Sequence, residues 1–554
     1  MARLFIASLV TIGLLLGMVV GVIFAAMVAT DQVDLSLAIT LTIIINGLIW
    51  LVSPWITDFS LRWFNKLAWL DDATVKAKYP VVHQLTHAVA DEYGFSAPSI
   101  GIIPDRNPTA FTYGLLRGNA RIVLTEGLFE FLNEQETRAV VAHELGHIVN
   151  RDFIVMTAAG TLVQILYQVY AATTRAARGS DSKKSGGIVI VGIAALVMYY
   201  IGIFLLYYLS RTREYLADTF SAERVEARHL ASALVKIAYG IVKVEDTEAT
   251  QSLLRSTRHM GVIDVKNARH VGLVAESDTA SPGQTAEAML FDYYNPWARL
   301  IELNSTHPLT GMRIANLGDV AKEKGQQFGD YDIEAAGKRV GIDRGALRGQ
   351  FWRELAILTA PIAAAIFVCL FGAFPLAPAA FAATVIATLY LRYPAAAPES
   401  TTVMALMTNP AASPVVGRPV RLEGTPIGRV NPGFFGGEDV IFQDKSGILP
   451  VDFRSMFGFL GDLYTGWRRI PKHLGKPGTV AGWFRRSMGG SIILKELDTT
   501  GGQLRARPFF WQALLCAIVI GVTIYFAAVL GPARMLRPLT QDTGANVESA
   551  PAPE

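Results

Sequence analysis

Cysteine is scarce in this 554-residue chain, and so is charge: there are two cysteines, and 18% of residues are Asp, Glu, Lys or Arg. Both cysteines, Cys369 and Cys516, stand inside apolar runs, where they read as small buried side chains and not as a disulfide or metal-ligand framework. The formal net charge of +3 gives no basic footprint for nucleic acid, and no glycine-rich phosphate loop stands between a strand and a helix. What the chain has in quantity is apolar residues, 51% of the total, which is unusual for a purely soluble protein of this length.

These residues gather in long runs. Leu4 to Ala29 contains no charged residue and exceeds the roughly 20 residues a helix needs to cross a bilayer core. It is also longer than the apolar stretch of a cleaved signal, which favours an uncleaved anchor. A second uncharged run, Leu35 to Ile56, follows Asp31 and Asp34 and precedes Arg62, Lys66, Lys76 and Lys78, so the two runs read as a hairpin with its basic flank in the cytoplasm. Further runs lie at Ile154 to Thr174, Ile188 to Leu209, Leu355 to Phe374, Ala379 to Leu391 and Trp511 to Leu530. The Ala379 run is short and set off by Pro375 and Pro378, which suits either a tight hairpin or a re-entrant pair. Between Ile154 and Leu209 the connecting loop carries Arg175, Arg178, Lys183 and Lys184 against Asp181, so this hairpin either crosses despite its charge or lies at the interface.

The expected organisation is an N-terminal transmembrane hairpin (1–56), a catalytic domain (57–341) with the hairpin 154–209 embedded in it, a transmembrane hairpin (342–394), a β-rich cytoplasmic domain (395–507), a transmembrane helix (508–531) and a disordered tail (532–554). The catalytic layer is α+β: helical spacing over Val81 to Tyr93, a β-prone stretch ending in Ala110 to Gly114, a strand over Arg121 to Leu124, and mostly helix from Leu209 to Gly341 with a polar loop near Glu276 to Thr285. From Thr401 to Arg507 glycine, proline and alternating β-formers predict a small separate barrel of the OB kind. Trp467 with its two following arginines, and the pair Arg485 and Arg486, either meet lipid headgroups or sit in solvated loops.

The chemistry is concentrated in Val140-Val-Ala-His-Glu-Leu-Gly-His-Ile-Val-Asn. His143 and His147, four apart, share one helix face and can present two imidazole nitrogens to one zinc ion, with Glu144 beside them to take a proton from water. A catalytic zinc needs a third protein ligand and an open position. Ser210-Arg-Thr-Arg-Glu-Tyr-Leu-Ala-Asp offers Glu214 as that ligand and, four residues on, Asp218 to fix the tautomer of a ligating histidine. His83 and His87 repeat the spacing without an acidic residue between them and read as surface; His229, His259, His270 and His473 have no organised partners.

His143-Glu144-Leu-Gly-His147, Arg211-Thr-Arg-Glu214-Tyr-Leu-Ala-Asp218 and Ser305-Thr-His307-Pro-Leu-Thr-Gly-Met-Arg313, in that order, together resemble the HtpX heat-shock protease family, which is related to the type I CAAX prenyl protease. The resemblance covers roughly residues 1 to 320. It implies a gluzincin-type site with one zinc per chain, a multi-pass protein of the cytoplasmic membrane whose catalytic site faces the cytoplasm, and cleavage of misfolded or membrane proteins. It further implies that His307 and Arg313 stabilise the transition state or gate the metal, and that Ala110, Phe111 and Thr112 form an edge strand for substrate. The family pattern has asparagine where this chain has Thr109, with Asn107 two residues earlier. The alternatives are a non-catalytic scaffold or chaperone adaptor with a closed metal site, and a protease of prenylated peptides. The expected partners are protein or peptide substrates and the bilayer, with no nucleic acid. The sequence leaves the oligomeric state open.

Overall fold

The computed structural model describes residues 2–30, 34–178, 182–243, 286–430, 437–486 and 490–530. The polar loop near Glu276 to Thr285, the tail 532–554, His259, His270, and the hairpin tips holding Asp31 and Asp181 lie outside the described residues. Two compact units emerge, the first built from residues up to 342 with 407–410 and the second from the remainder.

The first unit begins with α1 (Ala2–Thr30) and α2 (Asp34–Asn65), followed by β1 (Ala68–Trp69), α3 (Asp72–Lys78), α4 (Pro80–Tyr93), β2 (Ser99–Ile103), β3 (Ala110–Tyr113) and β4 (Arg121–Thr125). The helices α5 (Glu126–Phe131), α6 (Glu134–Val149), α7 (Asp152–Arg178), α8 (Ser182–Arg224) and α9 (Ala227–Lys243) come next. After them stand α10 (Leu290–Tyr294), α11 (Pro296–Glu302), α12 (Thr310–Glu323) and α13 (Ile333–Val340). The four strands are ordered β1-β2-β4-β3, with β2 and β4 parallel and β3 antiparallel on the edge.

Helix α6 is the centre of this unit. Asn133 starts it with a reciprocal cap: its side chain accepts from Glu136 N, and the Glu136 carboxylate accepts from Asn133 N, both at 2.9 Å. That carboxylate also receives Ser232 Oγ at 2.6 Å and Lys236 Nζ at 2.8 Å, which ties the start of α6 to α9. Every residue from Ala139 to Gly146 is buried, as expected of a helix enclosed on all sides. Val82, Leu85 and Val89 of α4 and Leu230, Leu234 and Ile237 of α9 share one core with it. Gly146 has a specific job, because a Cβ there would lie 2.9 Å from Ala217 Cα; its absence lets α8 lie directly on α6.

Among the described residues, seven helices are long and apolar enough to cross a membrane. Four of them belong to the first unit. Val19, Val22 and Ala26 of α1 pack with Ile165, Leu166 and Val169 of α7 and Ala195 of α8, and Leu15 packs with Ala159, Val163 and Leu209. The embedded hairpin therefore lies along α1.

The second unit holds α14 (Arg344–Leu370) and α15 (Ala377–Arg392), joined through Gly372 at φ 74°. A strand set follows: β5 (Glu399–Ser400), β6 (Arg418–Arg429), β7 (Val440–Asp444), β8 (Gly447–Asp452), β9 (Gly478–Arg486), β10 (Gly490–Thr499) and β11 (Gly502–Arg505). Five of these close on themselves: β6 pairs β7, β7 pairs β8, β8 pairs β10 in parallel, β10 pairs β9, and β9 returns to β6. This is the five-stranded barrel expected from the glycine-rich composition. Alternate residues such as Val420, Leu422, Phe442 and Leu449 fill it. Helix α16 (Gly458–Tyr464) lies between β8 and β9, and α17 (Phe510–Leu530) follows the barrel.

One expectation is corrected here. Arg485 and Arg486 are on β9, not in a loop: Arg485 Nε donates to Pro414 O at 2.7 Å and Nη1 to Tyr393 Oη at 2.8 Å, while Arg486 is buried. Trp467 is exposed, with the Arg468 guanidinium 4.3 Å above its ring.

Candidate metal centre

His143 and His147 project from α6, and α8 brings Glu214 against them. His143 Nε2 and His147 Nε2 are 3.2 Å apart; Glu214 Oε2 is 3.6 Å from the first and Glu214 Oε1 3.7 Å from the second. A tetrahedral zinc ion with bonds of about 2.0 to 2.1 Å requires donor atoms about 3.3 Å apart, so the three converge at the spacing one such ion would need. They form a group able to hold a metal ion. Glu214 Oε2 is buried without a hydrogen bond, as is Glu144 Oε2 alongside, and both are costly to leave so unless a further group completes the site.

The outer nitrogens of both imidazoles face carboxylates, and that of His147 is hydrogen-bonded to its own. His143 Nδ1 lies 3.0 Å from Asp218 Oδ1, and His147 Nδ1 lies 2.6 Å from Asp152 Oδ2. A carboxylate can only accept, so in the neutral form of each ring the proton sits on Nδ1 and Nε2 keeps a lone pair for a metal. Each carboxylate in turn has its own arginine. Arg313 reaches Asp218 through Nε at 2.9 Å and Nη2 at 2.6 Å, with Nη1 3.3 Å from Glu214 Oε2. Arg213 reaches Asp152 through Nε at 2.5 Å, and its Nη2 donates to Asn150 O at 2.5 Å.

Of the residues singled out in the sequence, His143, Glu144, His147, Glu214, Asp218, His307 and Arg313 are thus gathered at one place. His307, just ahead of α12, has Nδ1 3.3 Å from Glu214 Oε1, and neither of its ring nitrogens has a hydrogen bond. Arg211 of α8 secures that turn by donating to Glu302 O at 2.9 Å and Ser305 O at 2.7 Å. Arg313 hydrogen-bonds the Asp218 carboxylate and lies at ion-pair distance from Glu214, contacts that position both carboxylates. Asp152 and Arg213 were not anticipated. The available signal was an acidic residue placed directly before an apolar run in which it has no other use.

Burial shapes the titration of the site. It pushes the Glu144 carboxyl up to about 8, only partly offset by His147. His143 is held below the usual imidazole range, chiefly by burial and against the pull of Asp218. Burial would lower His147 as well, but the Asp152 bond and the charges of Asp152, Glu214 and Glu144 carry it up to about 9. For Arg313, burial works against the charge and Asp218 and Glu214 outweigh it, so the guanidinium stays protonated.

Strand β3 is the last strand of the sheet and passes close to α6, with Ala110, Phe111 and Tyr113 buried and Thr112 partly exposed. Thr125 N donates to Thr109 O at 3.1 Å, which sets the alternation: Phe111 and Tyr113 pair with β4 through their main chain, and the N–H and C=O groups of Ala110 and Thr112 point to the unpaired side. Thr109 N takes Thr125 Oγ1 at 2.9 Å, while the Asn107 amide is buried without hydrogen bonds. His83 and His87 lie apart from this centre and share Asp72, 2.8 Å from His87 Nε2, a partner not evident from their spacing.

Comparisons with known proteins agree with this geometry. The family model of peptidase family M48 matches residues 76–321, so the barrel lies outside the match. A protease HtpX homolog of Methanothermobacter thermautotrophicus is 36% identical over 171 residues, 31% of this chain and 64% of that protein. The homolog of Pyrococcus abyssi is 31% identical over 300 residues, 53% of this chain and 88% of that protein, and that of Pyrococcus furiosus 32% identical over 281 residues, 49% and 85%. The solved structure of Ste24p from S. mikatae aligns with 57% of this chain and 67% of its own at 18% identity and a TM-score of 0.33, too low to bear on the fold. With its paired histidines, its glutamate from the following long helix and these relatives, the chain belongs to the HtpX-like branch of peptidase family M48.

Proposed function

We propose that this protein is a multi-pass membrane zinc endopeptidase that cleaves misfolded or membrane proteins. The observation that carries the reading is the convergence of His143 Nε2, His147 Nε2 and a Glu214 carboxylate within 3.7 Å of one another, with the Glu144 carboxyl beside them. Zinc held there would polarise the scissile carbonyl and make water acidic enough to attack near neutral pH. Glu144 takes the proton from the attacking water and passes it to the leaving amine. His307, free of hydrogen bonds, donates to the developing oxyanion, and Arg313 and Asp152 hold the ligand set in place. The main-chain groups of Ala110 and Thr112 that the sheet leaves unpaired receive an extended substrate as an added strand, reached from the partly exposed Thr112 because Ala110 is buried, and this requires no side chain at Thr109.

Placement supports a membrane substrate. Glu214 stands on the same helix as the apolar run ending at Leu209, five residues and about 7.5 Å beyond it, and α7 starts three residues after α6. Packing of α7 and α8 along α1 favours a hairpin that crosses the bilayer over one lying at the interface. The basic residues after α2 support a site that faces the cytoplasm at the cell membrane.

The test is zinc content and casein cleavage of detergent-purified wild type beside Glu144→Gln. Equal zinc with cleavage by the wild type alone supports the reading; full zinc and no cleavage by either sinks it in favour of a scaffold.

A further inference from the structure

The second histidine pair has no part in that reaction. His83 and His87 stand one turn apart on α4, with ring centroids 4.2 Å apart, and both direct Nε2 at one carboxylate. Asp72 Oδ2 is 3.2 Å from His83 Nε2, and Asp72 Oδ1 is 2.8 Å from His87 Nε2. Asp72 is fixed above the pair because Asp71 caps α3 by accepting from Thr74 N at 2.7 Å and only Tyr79 separates α3 from α4.

We propose that Asp72, His83 and His87 form a second, exchangeable site for a first-row transition-metal dication such as zinc. Two imidazole nitrogens and a carboxylate oxygen are the donors such ions take. Bonds of about 2.1 Å put neighbouring donors about 3.0 Å apart in an octahedral shell and about 3.4 Å apart in a tetrahedral one, and the two histidine–carboxylate separations, 3.2 and 2.8 Å, lie on either side of the lower of these. The donors line a cleft shared with Asp58, Arg62, Trp69 and Arg121, so the remaining coordination positions are open to water or an anion. The competing account is two imidazole N–H groups donating to one carboxylate, which binds no metal.

The experiment uses untagged full-length protein in detergent, stripped with chelator and dialysed against zinc. Wild type is expected to retain about two zinc ions per chain by elemental analysis, and the double variant His83→Ala with His87→Ala about one, with casein cleavage unchanged. Asp72→Asn, which keeps both rings, should weaken the same ion. Equal zinc in wild type and double variant overturns the proposal. Loss of the only bound zinc in the double variant would uphold it and remove the zinc peptidase reading instead, so the two fail separately.

A different observation concerns the barrel. Phe457, Phe459 and Leu460 are 71, 75 and 74% exposed, and Tyr464 and Trp467 follow at 59 and 58%. Gly458 lies against the indole of Trp511, as a Cβ on it would sit 3.2 Å from Trp511 Nε1, and Trp511 is in the first turn of the apolar helix α17. Exposed Arg468, Arg469 and Lys472 close the segment. We infer that this face of α16 is immersed in the headgroup zone of the bilayer that α17 crosses, its aromatic residues in the interface and its cations on anionic lipid. In nanodiscs of phosphatidylcholine and phosphatidylglycerol, brominated acyl chains should quench the emission that wild type has and Trp467→Phe lacks, and Phe459→Ser with Leu460→Ser should reduce that quenching. Equal Trp467 emission with brominated and plain lipid overturns the inference and points to a protein partner on this face.

Discussion

His143–His147 and His83–His87 share a spacing and a helix face, yet their surroundings differ in every other respect. In the first pair each imidazole has its own carboxylate, Asp218 or Asp152, and each carboxylate its own arginine, Arg313 or Arg213, in a buried layer. The second pair shares Asp72 alone, and the Asp72 side chain is 69% exposed. Spacing brings two nitrogens to one place; what fixes their tautomer and orientation is the layer behind them. The buried pair is therefore the better prepared for a firmly held ion, and the open pair, at most, for one that exchanges.

Several changes would break or sharpen this contrast. The largest effect is expected from Glu144→Gln, which should lower casein cleavage by about 10²- to 10⁴-fold with metal content unchanged. Next comes Asp152→Asn, expected to cost about 10- to 100-fold in zinc affinity, read by competition with a chromogenic chelator, with activity recovering at excess zinc. Asp218→Asn should behave alike, and a variant that kept full affinity would deny the carboxylate layer its role. A smaller effect lies in pH. Without metal, burial pushes Glu144 up to about 8, and Asp152 with its neighbouring carboxylates carries His147 up to about 9, both above their ordinary values. A raised folded value contributes stability at low pH that is lost as pH climbs through it, so the apparent Tm of the chelated wild type should fall between pH 6 and 9. Glu144→Gln should fall less, by on the order of 2 kcal/mol of that loss. Replacing His83 and His87 should change cleavage less than twofold; a larger loss would mean that the open pair supports the active centre.

The gathering of His143, His147, Glu214 and Asp218 was legible because each pair stands four residues apart on one helix, where that spacing translates directly into a shared face. Asp152 was not, because Arg151 adopts φ 58° between α6 and α7 and turns the chain, so counting along the helix stops short of it. Asp72 was hidden for a related reason: it meets His83 and His87 only after the break between α3 and α4. The barrel was legible as short strands separated by glycine, whereas the placement of Arg485 depended on the Pro414 carbonyl and the Tyr393 hydroxyl, far away in sequence.

Helix α8 runs for 43 residues without a break, about 65 Å, against a hydrocarbon core of about 30 Å. A metal ligand on such a rod sits at the end of a lever: Glu214 is some 16 residues, about 24 Å, from the middle of the apolar stretch, so a tilt of about 5° would carry its carboxylate about 2 Å, a full coordination bond. Under the proposed function, the packing of α1 and α7 against α8 would set the mechanical tolerance of the His143, His147 and Glu214 cluster, and a membrane of altered thickness would act on it through that one rod.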